Sequence, residues 1–187
     1  MRVEGLIGYN EVGINMLSKK MEEALNKQLN NELYSAYLYL SISAYSTYIG
    51  LKGFAKWFMV QYQEEMAHAM KFYKYILDQG SQVKLMAIAQ PMTEFKSPLD
   101  MFEKTLQHEK FVTKSINDLV DLAIAEKDHA TNIFLQWYVT EQIEEESNDH
   151  EIISKLKLVG EEGPALLMLD KELATREFKP PAAASED

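Results

Sequence analysis

The chain has 187 residues, with 19 Lys and Arg against 29 Asp and Glu for a formal net charge of −10, 47% hydrophobic residues and no Cys. That length suits one domain with a full core, and the apolar fraction excludes a chain disordered throughout. The missing Cys excludes disulfides, thiolate zinc sites, Cys-held iron–sulfur clusters and Cys nucleophiles, and the acidic balance argues against binding a nucleic-acid backbone.

Three of the eight Gly fall in the first thirteen residues, so 1–15 reads as a flexible extension. Packing of this segment on a neighbour is the alternative. The segment has acids at Glu4 and Glu11 and no sustained apolar core, so it does not read as a secretory signal. No stretch approaches the ~20 apolar residues that span a bilayer, so no membrane association is expected and the cytoplasm is the simplest compartment. A first helix starts with Ser18 as its N-cap and runs to about Ser46. A second follows Gly50 and Gly53 and stops near Gly80. Ser97-Pro98-Leu99-Asp100 opens a third, with a cap, a proline at the first helical position and an acid in the first turn. The stretch 99–159 lacks Gly and Pro and is too long for an ordinary globular helix. Its polar segment Glu126 to Asn132 divides it into a third and a fourth helix, the latter ending at Gly160. A short fifth helix runs from Pro164 to about Arg176, and 177–187, with its Pro180-Pro181 pair, reads as a disordered tail after a single domain at 16–176.

Strand signals are absent, so the chain is expected to be all-α. Long helices of roughly 27 residues would each span about 40 Å, and helices of matched length form a four-helix bundle. The first and third connections are short, which makes two antiparallel hairpins. The connection from Gly80 to Ser97 is long for a compact domain. It is explained if the chain crosses the full bundle length and leaves the second and third helices parallel.

Steps of three and four residues trace one apolar stripe per helix. They read Met21, Leu25, Leu29, Glu32, Ala36, Tyr39; then Phe54, Phe58, Gln61, Glu65, His68, Phe72; then Phe102, Leu106, Glu109, Thr113, Ile116, Val120; then Phe134, Tyr138, Glu141, Glu145, Ile152, Leu156, Val159. A carboxylate interrupts each stripe near its middle. A lone Glu on a stripe usually lies at the edge with its head in water. Four that converge would repel and lose hydration, and a polyvalent cation offsets that cost. Carboxylates with one imidazole suit iron or manganese, with zinc as a competitor. Glu65-x-x-His68 sets both ligands on one helical face. Glu32 and Glu65 are 33 residues apart and Glu109 and Glu145 are 36 apart, as if each hairpin supplied half of a two-metal site. The fourth helix departs from that pattern, because Gln142-x-x-Glu145 stands where a second Glu-x-x-His would be. The second metal position should therefore be oxygen-rich and weaker. His108, His129 and His150 have no partner spacing and are expected at the surface.

The blocks Asn31-Glu32-Leu33-Tyr34, Gln63-Glu64-Glu65-Met66-Ala67-His68, His108-Glu109 and the run from Phe134 to Glu146 resemble the bacterial-type non-haem ferritins over about Met16 to Thr175. The resemblance implies a ferritin-like four-helix bundle with a long crossover and a short C-terminal fifth helix that packs around a four-fold axis. It implies Glu32 and His68 as terminal ligands of a first iron, Glu65 as a bridge, and Glu109 and Glu145 on a second iron with Gln142 close by. Glu64, Glu141 and Glu144, sharing Glu145, match a third iron position. Tyr39 and Trp137 match aromatics beside the diiron centre. The implied activity is oxidation of Fe(II) by O2 or H2O2, with Fe(III) mineral stored in a homo-oligomeric shell of 24 subunits and no nucleic-acid partner. Met66 stands where bacterioferritins carry a haem-binding methionine, but the absent second Glu-x-x-His favours the non-haem group, so haem is not expected. A haem-binding bacterioferritin-like protein and a non-storage diiron oxidase are the alternatives. A DNA-protecting mini-ferritin would use basic extensions, and a rubrerythrin-like peroxidase would need a four-Cys module.

Overall fold

Side-chain caps start three of the four long helices. The computed structural model describes residues 16–160 and 162–180, and those residues form five helices and no strand. Ser18 Oγ accepts from the Met21 amide at 3.0 Å and opens α1, Lys19–Tyr48. Ser97 Oγ accepts from the Asp100 amide at 3.2 Å and opens α3, Pro98–Glu126, with Pro98 in the first turn. Asp128 Oδ1 accepts from the Thr131 amide at 3.0 Å and opens α4, His129–Val159. Each cap satisfies an amide that has no partner inside its helix. The break between α3 and α4 falls inside the polar segment, where Lys127 takes the left-handed conformation at φ 57°.

The second helix, α2 (Lys52–Asp78), has no cap of its own. Asp170, on α5 (Pro164–Leu173), supplies one: its Oδ1 accepts from the amides of Gly53 at 2.7 Å and Phe54 at 3.0 Å. Gly53 is required there, because a Cβ would run into the Asp170 carbonyl. The fifth helix ends at Leu173, three residues before the expected Arg176. Its last turn tightens into i to i+3 bonds, Thr175 N to Glu172 O at 3.0 Å and Arg176 N to Leu173 O at 3.3 Å. The backbone then leaves the helix axis and carries Arg176 onto Trp57 and Glu64.

The long α2–α3 connection runs along α1, as its length requires. Near the start of α1, the Asn26 amide nitrogen donates to the Gln82 carbonyl at 3.1 Å, the Asn26 oxygen accepts from the Lys84 amide at 2.6 Å, and Lys84 pairs with Glu22 at 2.7 Å. Near the end of α1, Ser41 donates to the Met92 carbonyl at 2.7 Å and Tyr45 to the Phe95 carbonyl at 2.6 Å. These pins are spread over about 35 Å of helix at 1.5 Å per residue, so the crossover traverses most of the bundle.

The apolar stripes meet in two separate clusters. One gathers Tyr39, Ile42, Phe54, Phe58, Phe102 and Leu156 with Leu166, Leu169 and Leu173 of α5. The other gathers Met21, Leu25, Phe72, Ile76, Ile116 and Tyr138. Between them lies a polar layer that contains Glu32, Glu65, His68, Glu109, Gln142 and Glu145, all buried. Thr113, Val120, Phe134, Glu141 and Val159 sit at the stripe edges and are half-buried rather than enclosed. His108 is also half-buried, not at the surface: its Nε2 lies 2.8 Å from Ser35 Oγ and its ring packs 5.5 Å from Tyr34. His129 and His150 are exposed.

Candidate metal centre

The polar layer exists because each helix brings a carboxylate to the same height of the bundle. Glu32 of α1 and Glu65 and His68 of α2 present ligand atoms that all lie within 4.8 Å of one another, and all three residues are buried. His68 Nδ1 is 3.5 Å from Glu65 Oε2. The imidazole is held edge-on to Trp137, with centroids 5.2 Å apart, and Tyr138 donates to the His68 carbonyl at 2.8 Å. A second set, His68 with Glu141 and Glu145 of α4, also converges within 4.8 Å. His68 thus stands between two groups of carboxylates, one enclosed and one facing outward.

Among the described residues, Glu109 joins neither set. Tyr39 donates its hydroxyl to Glu109 Oε1, and Gln142 Nε2 donates to Glu109 Oε2 at 3.0 Å. Two further acids also have neutral donors: Gln28 Nε2 reaches Glu32 Oε1 at 2.8 Å, and Gln61 Nε2 reaches Glu145 Oε2 at 2.8 Å. Three glutamines therefore serve three glutamates, and two of these, Gln28 and Gln61, carry no part in the expected ligand set. Gln61 lay on the α2 stripe and Gln28 lies one turn before Glu32, so the sequence held a signal for both.

Charge accumulates in this layer without enough cations to match it. Burial, then the Glu65 charge, holds Glu32 well above the usual carboxylate range. Burial, then Glu109 and Glu145, does the same for Glu65. Glu145 is pushed up to about 8 by burial and by Glu109. These shifts favour the protonated acids, and a bound polyvalent cation would reverse them by favouring the charged forms. Tyr39 is raised by burial and then by Glu109, so its phenol stays protonated.

A fifth carboxylate, Asp149, was not among the expected residues. It lies one turn beyond Glu145 on α4, is 1% exposed, and neither oxygen has a hydrogen-bond partner. Burial, then Glu109 and Glu145, pushes it up to about 9.

The outward set opens into a cavity of about 800 Å³ whose wall includes Glu64, Glu144, Trp57 and Arg176. Glu64 is turned onto Arg176, with Oε2 2.7 Å from the guanidinium, and Glu144 is exposed at the rim. Of the four residues expected at a third iron position, Glu141 and Glu145 converge with His68, whereas Glu64 and Glu144 stand back from them.

A bundle of two antiparallel hairpins with a crossover along its side and carboxylates plus one His at mid-height defines the diiron-carboxylate class of helical bundle. Residues 22–159 match the family model described as the ferritin-like domain, and the chain belongs to the non-haem ferritin family. It is 46% identical to the bacterial non-heme ferritin of Campylobacter jejuni over 156 residues, covering 83% of this chain and 93% of the relative. It is 41% identical over 160 residues to the bacterial non-heme ferritin of an Escherichia coli strain, covering 86% of this chain and 97% of that one. A crystal structure of an open-pore ferritin from the archaeon Archaeoglobus fulgidus superposes with a TM-score of 0.85 at 54% identity, covering 86% of this chain and 99% of that one. No helix among the described residues is long and apolar enough to cross a membrane.

Proposed function

We propose that this ferritin binds Fe(II) in its polar layer, oxidises it there and stores the Fe(III) as mineral inside a 24-subunit shell in the cytoplasm. The observation that carries the reading is the buried set of Glu32, Glu65 and His68, which meets a second set through the shared His68. Glu32 and His68 hold the first Fe(II), and Glu65 bridges to the second. Glu109 and Glu145 hold the second, with Gln142 beside them. Glu141 and Glu145, with Glu64 and Glu144 on the cavity side, form an inner position that receives iron on its way to the mineral. Tyr39 fixes Glu109 through its hydroxyl. Residues 16–176 are the storage domain, 1–15 and 177–187 are its extensions, and Met66 packs rather than ligates haem. The family's reaction and the family's assembly support this assignment.

The substrate is a pair of Fe(II) ions, and each gives one electron to a shared oxidant. H2O2 takes both electrons with two protons and leaves as water, while O2 takes both with two protons and leaves as H2O2. The protein supplies ligands, spacing and a layer whose acids become anionic as the ions bind. The raised carboxyls release protons when Fe(II) enters, so loading is favoured as pH rises.

Glu65→Ala tests the reading. Stopped-flow absorbance after mixing with aerobic Fe(II) should lose its rapid phase, by more than the roughly 10–100-fold that losing a supporting partner of a metal ligand costs. Helicity should be retained, because the substitution removes a buried carboxyl whose ionisation its burial and its acidic neighbours oppose. An unchanged rapid phase would sink the assignment.

A further inference from the structure

Arg176 lies in the cavity wall, directly against an acid of the inner position. Its Nη2 is 2.7 Å from Glu64 Oε2, and both side chains are mostly buried, at 21% and 20% exposed. Its guanidinium carbon is 4.4 Å from the Trp57 ring centroid. Its Nη1 is buried with no hydrogen-bond partner.

This placement is built by the fold. Leu166, Leu169 and Leu173 bury one face of α5 in the core. Asp170 fastens the same helix to the start of α2. The tightened turn after Leu173 then delivers Arg176 to Trp57, whose ring fixes the guanidinium plane. Meanwhile the ligand atoms of His68, Glu141 and Glu145 converge without Glu64. A carboxylate oxygen in a charge-assisted bond to a guanidinium is the same lone-pair donor that a metal cation would take, and the two cations repel.

We propose that Arg176 is a resident cation that competes with iron for Glu64, and so sets the affinity of the inner position through which iron leaves the diiron centre. The inference rests on the reading of Glu64 as a ligand of that position. When Glu64 is on Arg176, the inner position has Glu141 and Glu145 beside His68 and binds loosely. When iron draws Glu64 away, Arg176 is left on Trp57 and the position gains a third carboxylate.

The test is anaerobic Fe(II) calorimetry on the assembled, metal-free protein. Glu64→Gln identifies the inner binding step as the one it weakens or removes. In Arg176→Gln that step should tighten by about tenfold, the order expected from removing one charge-assisted bond, while the other steps hold. Arg176→Lys keeps the charge but not the planar group on Trp57, so it should fall between Arg176→Gln and the wild type. Lys155→Gln removes a charge from the same cavity, but Lys155 pairs with Glu151 and Glu172, so the step should not move. In a Glu64→Gln background, Arg176→Gln should tighten binding much less than it does with Glu64 present, because only the through-space repulsion between the two cations is then relieved. Damage to the fold would loosen binding, not tighten it. An inner step that is unchanged or weaker in Arg176→Gln overturns the competition alone. If Glu64→Gln alters no step, the inner position itself is overturned and the competition with it.

Discussion

Asp149 is the buried acid most exposed to a quantitative test, because the proposed ligand set does not include it. It is 1% exposed and both oxygens lack a hydrogen-bond partner. Burial, then Glu109 and Glu145, raises it from 3.8 to about 9. At neutral pH the folded protein keeps a proton there that the unfolded chain has released. A folded state that binds more protons loses stability as pH rises. The contribution is intact below about 3.8 and is lost progressively up to about 9. Within that window each pH unit costs about 1.4 kcal/mol, so the step from pH 5 to pH 8 costs on the order of 4 kcal/mol. The amide of Asp149→Asn does not ionise. Glu32 and Glu65 titrate in both proteins, and the comparison reads Asp149 together with its coupling to Glu145. Chelator-treated protein, melted by circular dichroism across this pH range, should show a small gain for Asp149→Asn at pH 5. The gain should grow by roughly 10 °C at pH 8, at about 2–4 °C per kcal/mol for a chain of this size. Two melting curves that stay parallel across pH would refute the reasoning.

The two halves of the centre should differ in affinity. Anaerobic Fe(II) titration should resolve a tight step at Glu32, Glu65 and His68 and a weaker one at Glu109 and Glu145, where Gln142 replaces an imidazole; equally tight binding at both would count against that asymmetry. Gly53→Ala should loosen α5, because the new methyl meets the Asp170 carbonyl, a backbone atom that cannot rotate away. A cost of about 1–3 kcal/mol is expected for such overpacking, read as faster hydrogen exchange in 164–173; wild-type protection there would contradict the contact.

The stripes of α1 and α2 were legible in full: every residue from Met21 to Tyr39 and from Phe54 to Phe72 on those lists is buried. Their period is strong because aromatic and aliphatic residues flank each acid. The α4 stripe was harder. Its reading steps from Glu145 to Ile152 and passes over Asp149, which lies on the same face one turn on. An Asp among Ser147, Asn148 and His150 looks like solvated helix, and only the tertiary fold, which buries it within electrostatic reach of Tyr39 and Glu109, makes it interior. His108 was misplaced for a related reason. Isolated spacing says nothing about Ser35 and Tyr34, which reach it from α1. The end of α5 was extended to Arg176 because nothing local stops the helix at Leu173. The stop is tertiary, set by Trp57 and Glu64 more than 110 residues away in sequence.

The glutamines beside the acids have a consequence for repeated use. Gln28, Gln61 and Gln142 each give an amide hydrogen to one carboxylate of the layer. A carboxylate released by a departing ion finds a neutral donor within its own side-chain reach, so it need not recruit water through the core or repack a helix. In the proposed cycle, an ion that enters or leaves would exchange one set of short side-chain contacts for another. In mechanical terms the proposed cycle asks the bundle to act as a frame around a few swivelling end groups, with the movement taken up in side-chain torsions.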